Sequence, residues 1–295
     1  MPAPERTAGP DPWSTLLDVL VCPLCGGRLA TSGGSLRCPA GHTFDIARQG
    51  YVSLLSGGSR AAGADTAAMV RARAEFLDSG HFAPLARLLA ERTAAFCPAG
   101  GTVLEAGVGT GHHLAAVLDA LPRAVGLGLD SSKFALRLAA RAHPRLGAAS
   151  WDLWQPLPVR SGSVDVLLNV FAPRNGEEFH RVLRPSGALL VVTPTARHLD
   201  ELRQPVGLLS VDATKEARLH RTLSQHFRRT GTEVEEAVVG LDEPAEVENL
   251  VAMGPTARHL AAEELHRRVA GLDLPVRVTL SFRLSVYRPL VRSEQ

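Results

Sequence analysis

Lysine is almost missing from this chain: of its 32 basic residues all but Lys133 and Lys215 are arginine, set against 30 acidic residues for a formal net charge of +2. No sign of charge dominates. A large global field toward nucleic acid is therefore excluded, and any contact with a polyanion has to come from a local patch. Arginine is well suited to bidentate phosphate contacts, but composition alone neither demands nor excludes RNA. An apolar run long enough to span a membrane is also lacking, as is a charged opening followed by an apolar stretch, which leads us to expect a cytoplasmic protein. Internal repeats are absent. What remains is a chain of 295 residues, long enough for one α/β domain with a small extra module.

Cysteine is scarce, yet three of the four fall into one pattern, Cys22-Pro23-Leu24-Cys25 followed by Cys38-Pro39-Ala40-Gly41-His42. Two close pairs separated by a hairpin-length segment are the geometry of a tetrahedral zinc site. A segment this small cannot hold itself together by burial, so the metal supplies folding energy. With four protein ligands (Cys22, Cys25, Cys38 and His42) the ion is closed to water and is expected to be one structural Zn2+. Cys97 stands alone and receives no function. The organisation expected is a disordered leader over residues 1–15, a zinc-binding module over 16–55, a linker with capping helices over 56–99, and a catalytic domain over 100–295. Within the third part, residues 56–65 form a flexible Gly/Ser/Ala linker carrying Arg60. Residues 66–78, with Met69, Arg73, Phe76 and Leu77, form an amphipathic helix stopped at Ser79-Gly80, and a further helix opens at His81-Phe82.

The stretch Val103-Leu104-Glu105-Ala106-Gly107-Val108-Gly109-Thr110-Gly111 organises the rest. An apolar run ends in an acid, then in alternate glycines, and a helix-forming segment begins at His112, which reads as strand, tight turn, helix. The third glycine comes one residue too early for a dinucleotide fingerprint, and no Gly-Lys-Ser/Thr completes a phosphate loop. What is left is the acid-x-G-x-G-x-G pattern of S-adenosylmethionine (SAM) methyltransferases. Asp130 ends the next strand about 20 residues further on, where doubly wound folds place a carboxylate on a ribose diol. Asp152 follows the third strand, where an acid suits the adenine amino group. Trp151 and Trp154 beside it offer stacking faces.

Residues 163–171 are a nearly all-apolar run, as a central parallel strand requires. Its carboxyl end carries Asn169-Val170-Phe171-Ala172-Pro173-Arg174-Asn175, placed to wall the methyl-acceptor pocket, with Phe171 to stack on a flat base and Asn169 to bond its edge. A helix over 177–183 and a strand over 188–193 continue the alternation, which establishes a parallel sheet. Further on, residues 199–225 read as broken helix, 233–239 as a strand, and 245–253 and 256–269 as helices. A long strand with one wet face runs from Val276 to Tyr287. The pattern resembles the α/β fold of class I SAM-dependent methyltransferases, Rossmann-like and mostly parallel, a class that finishes with an antiparallel last strand, here expected behind a small zinc ribbon.

With the zinc knuckle, Phe44-Asp45-Ile46-Ala47-Arg48-Gln49-Gly50-Tyr51-Val52, Ala74-Glu75-Phe76-Leu77-Asp78-Ser79-Gly80-His81-Phe82 and the Asn169–Asn175 phrase in order, the chain resembles the RlmA family of 23S ribosomal RNA guanine-N1 methyltransferases. His112-His113 and Val251-Ala252-Met253-Gly254-Pro255 make it most similar to the branch that confers tylosin resistance. Glu105 replaces an Asp common in the family, and Ser186 a Gly. The resemblance covers about residues 18–290. It implies SAM as cofactor, a 23S rRNA hairpin loop in the macrolide tunnel as partner, no DNA, no membrane, and a homodimer as one expected state. The cofactor set implied is Glu105, Gly107, Gly109, Thr110, Gly111, His112, His113, Asp130 and Asp152, with Asn169 and Phe171 on the acceptor side. Two other readings stand beside it: methylation of a small natural product, and a zinc-ribbon RNA-binding protein without catalysis. The zinc module favours RNA, since a small acceptor needs no second gripping domain.

Overall fold

The computed structural model describes residues 12–55, 64–208 and 221–291. Most of the expected leader, most of the linker with Arg60, and part of the helical stretch expected over 199–225 lie outside the described residues. Three short strands, β1 (Ala30–Ser32), β2 (Ser35–Arg37) and β3 (Thr43–Asp45), make a small antiparallel sheet. The main sheet is built from β4 (Val52–Ser53), β5 (Thr102–Ala106), β6 (Val125–Asp130), β7 (Leu146–Ser150), β8 (Val164–Val170), β9 (Leu183–Pro194), β10 (Phe227–Leu241) and β11 (Val276–Pro289), in the order β10-β11-β9-β8-β5-β6-β7-β4. Every residue of β5 and β8 is buried, as befits strands covered on both faces. Pairing is parallel from β4 through β7, β6, β5 and β8 to β9. The last strand, β11, then inserts antiparallel between β9 and β10.

Helices α2 (Ala67–Asp78), α3 (Ala83–Ala94), α4 (His112–Ala120), α5 (Lys133–Ala142), α8 (Pro244–Ala252) and α9 (Ala262–Val269) share one hydrophobic core with one face of the sheet. The opposite face packs on α1 (Trp13–Leu16), the zinc module and α6 (Gly176–Val182). A single turn, α7 (Asp200–Leu202), joins the first of these cores through Leu202. Helix starts follow the local sequence. Thr66 caps α2 by accepting from the Met69 N–H, Ser132 caps α5 through Ala135, and Glu243 with Glu246 forms a capping box on α8. Among the described residues no helix is long and apolar enough to cross a membrane.

Four features depart from the sequence reading. Trp13, placed in the leader, is 4% exposed; it packs with Leu16 over Gly147 of β7, where a side chain would collide with both. The first module is also not a separate body. Its last strand β4 extends the main sheet through β7, the Ser150 hydroxyl accepts from the N–H groups of Leu54 and Leu55, and Val21 donates to the Pro158 carbonyl. The helix expected over 256–269 is broken into a 3₁₀ turn, Pro255–Arg258, and α9, because Ala261 between them is extended with ψ of 147°. The strand expected over 233–239 runs further, since β11 pairs along its full length from Phe227 to Leu241.

Candidate active site and zinc centre

At the amino-terminal end, Cys22, Cys25, Cys38 and His42 bring one ligand atom each to within 4.8 Å of one another. The Cys25 and Cys38 sulfurs are 3.7 Å apart, and the His42 Nδ1 lies 3.5 Å from the Cys22 sulfur and 3.3 Å from that of Cys38. A tetrahedron with metal–sulfur bonds of about 2.3 Å has edges of about 3.8 Å. The residues fit a zinc ion. All four positions would be filled by protein, which leaves the metal a structural part.

Across the sheet, the turn after β5 depends on its glycines. Gly107, Gly109 and Gly111 all have positive φ, at 85°, 55° and 87°. A Cβ on Gly107 would overlap that of Ala172, and one on Gly111 would come 2.9 Å from the Cα of Ala139. The turn is tied to the second strand. Gly107 and Val108 donate to the Leu129 carbonyl, and the Gly109 N–H donates to Asp130 Oδ2 at 2.9 Å while the Ser132 N–H donates to Oδ1 at 2.8 Å. Burial raises the Asp130 pKa, with those two N–H groups opposing. Each carboxylate oxygen keeps a further lone pair for a hydroxyl.

Glu105 is 1% exposed; burial pushes its carboxyl well above the usual range, against one N–H from Leu114, and its Oε2 has no partner. Nearby, His112 Nε2 and His113 Nδ1 are also buried without partners, and burial lowers both rings, His113 to about 3. Both imidazoles are neutral. Such unsatisfied buried groups are rare, and their gathering at the carboxyl edge of β5 fits a polar ligand. Asp152 follows β7, where the Trp151 N–H donates to the Asp130 carbonyl and the Asp152 Oδ1 accepts from Trp154. It borders a cavity of about 320 Å³ shared with Leu24 of the zinc knuckle, Leu54, Leu55 and Trp151. Trp151 is buried, whereas Trp154 is 65% exposed.

At the end of β8, Phe171 has φ of 54° and is 45% exposed. A non-glycine residue held there costs on the order of 1 kcal/mol, and such residues cluster at functional sites. Its ring stands 5.5 Å from Phe282, which lies 5.0 Å from Phe82 and 4.9 Å from His198. These three were not singled out as site residues. Phe82 sits at a helix start and Phe282 in an alternating strand, and only the fold joins them. Asn169 stands at the end of β8 as expected, but its side chain points away from a base. It is fully buried, and its amide nitrogen donates to the carbonyls of Ala106 and Pro173 at 3.2 and 2.9 Å, with Oδ1 sealed inside. No donor remains to read a base edge; the side chain holds the acceptor loop to β5 instead. His81, just before α3, pairs with Glu246 at 3.2 Å and packs 5.4 Å from Phe76.

Comparison with known proteins settles the class. Residues 20–57 match the family description "RlmA, N-terminal", a zinc ribbon. The chain is 51% identical over 273 residues to the 23S rRNA (guanine(748)-N(1))-methyltransferase of Streptomyces fradiae, covering 92% of this chain and 97% of that one. It belongs to the 23S rRNA guanine-N1 methyltransferase family. A Micromonospora griseorubida protein named for the same class of activity is 52% identical, with 93% of this chain and 99% of that one covered. A Bacillus subtilis member, YxjB, is 38% identical over 194 residues, 62% of this chain and 67% of its own. In this family the cofactor is SAM, and the glycine turn with the partnerless Glu105 oxygen and imidazoles offers the polar, close-approach surface such a ligand needs.

Proposed function

We propose that this enzyme methylates N1 of a guanine in a 23S rRNA hairpin loop lining the macrolide tunnel, and so protects ribosomes from tylosin-type macrolides. The observation that carries the reading is Phe171, an exposed ring on a loop that touches the cofactor turn through Ala172 and Gly107. Bound SAM supplies an electrophilic methyl group on a sulfonium. Glu105 faces its cationic amino-acid end, Asp130 accepts from the ribose hydroxyls, and Asp152 accepts from the adenine amino group. Phe171 stacks on the extruded guanine, with Phe282 behind it, and Asn169 fixes the loop at the right height. Base–aromatic stacking contributes about 1–3 kcal/mol, and in-line placement of two bound reactants about 7 kcal/mol or more.

The zinc ribbon serves as a second grip on the RNA, consistent with hairpin recognition by shape and stacking. Such a reaction belongs in the cytoplasm, where ribosomes are, and the homodimer belongs to the same proposal, its test being the mass in solution. Labelled SAM offered with ribosomal RNA lacking the modification, and separately with small-molecule extract of the same cells, tests the acceptor class. Label in the RNA fraction supports the reading. Label only in small molecules would replace it with methylation of a natural product.

A further inference from the structure

We propose that Arg73 of α2 grips the α-carboxylate of bound SAM. The ligand carries one carboxylate beside an ammonium and a sulfonium, and the side chains so far placed around it, Glu105, Asp130 and Asp152, are all acceptors. They suit its cationic and donor parts. None can hold a carboxylate, and His112 and His113 are neutral rings rather than cations. A cation suits a carboxylate best, and the fold places one beside the turn. The Arg73 Nη1 lies 3.7 Å from where a side chain on Gly109 would begin.

Two bonds from two segments aim the guanidinium. Its Nη1 donates to Asp65 Oδ2 at 2.5 Å and its Nη2 to the Met253 carbonyl at 2.7 Å. Asp65 in turn accepts from Arg258 at 3.0 Å, and its carbonyl accepts from the Ser132 hydroxyl at 2.8 Å. The fork therefore arrives already oriented, with donors left over for a planar acceptor. Gly109 is thereby flanked on both sides: its N–H is held by Asp130, the ribose acceptor, and Arg73 stands at its Cα. Gly109 thus sits between the proposed ribose and carboxylate contacts.

Calorimetry without RNA tests this, using SAM and decarboxylated SAM, which keeps the adenosine, sulfonium and amine. The wild-type protein should bind the decarboxylated ligand about tenfold to a hundredfold more weakly. Arg73→Gln should lose that same factor for SAM and nothing for the analogue, so that the two ligands become equal; Arg73→Lys, keeping charge without the fork, should fall between. Equal binding of both ligands by the wild type would overturn the proposal, as would an equal loss for both in Arg73→Gln. Because no acceptor enters the measurement, its failure would leave the guanine assignment standing. A wrong acceptor would leave this ratio unchanged.

Discussion

Gly107, the first glycine of the cofactor turn, and Ala172, the residue after Phe171 in the acceptor loop, are in such close contact that a methyl group on the former would overlap that of the latter. The two halves of the site are thus set against each other by one small-residue contact. Gly107→Ala should therefore disturb both halves, and φ of 85° adds backbone strain on the order of 1 kcal/mol. We expect lower SAM affinity and lower turnover in this variant, with partial recovery in Gly107→Ala/Ala172→Gly because only the collision is relieved. Full recovery, or none, in calorimetry and transfer assays would contradict the contact's role.

Phe171→Ala should depress methyl transfer by about tenfold to a hundredfold, the worth of one stacked base, with SAM affinity within about twofold. Glycine accepts φ of 54° without cost. Phe171→Gly should accordingly melt no lower than Phe171→Ala, although it is equally impaired in transfer; the reverse order of melting temperatures would argue against backbone strain at this position.

Glu105 links cofactor binding to protons. Its folded pKa is raised by burial, so its contribution to stability is present below the ordinary glutamate range and is lost as pH rises toward the raised value. Between about pH 5 and 7, wild type should lose stability relative to Glu105→Gln. Binding a cation beside the carboxylate reverses its protonation. SAM should therefore release protons on binding, seen as a dependence of calorimetric heat on buffer ionisation enthalpy, and Glu105→Gln should abolish that dependence. Proton uptake instead would place the cationic end elsewhere.

The metal prediction follows from the shared core. Cys22, Cys38, Leu36 and Phe44 pack in one cluster with Leu127 of the methyltransferase sheet and Val159 of the segment before β8. Removing zinc should lower the melting temperature of the whole protein in a single transition, and purified protein should hold about one equivalent. A separate early transition with the SAM-binding half unmoved would show that the module folds alone.

What could be read from the chain was what is encoded locally. The zinc spacing, the glycine turn and the acids that end β5 and β6 each lie within a few residues, and strand–helix alternation is itself a sequence period. Relations across the chain were hidden. Trp13 is apolar but sits among Pro, Ala and Gly, and only Gly147 on a distant strand shows why it is buried. Val52 and Ser53 looked like the end of a module, yet their partners are Ala149 and Ser150. Asn169 was correctly placed at a strand end, but the direction of its amide depends on Pro173 and Ala106, and no residue pattern reports that. The aromatic wall needs β8, β11 and α3 to meet before Phe171, Phe282 and Phe82 become neighbours.

The central claim is transfer of one methyl group to N1 of a hairpin-loop guanine, and primer extension reads it directly because a methyl group on N1 blocks the Watson–Crick edge. Unmodified 23S rRNA treated with enzyme and SAM should acquire one new stop, one nucleotide before a loop guanine, strong with the wild type and weak with Phe171→Ala at equal cofactor occupancy. No new stop, or a stop at a paired base that persists in the variant, would contradict the account.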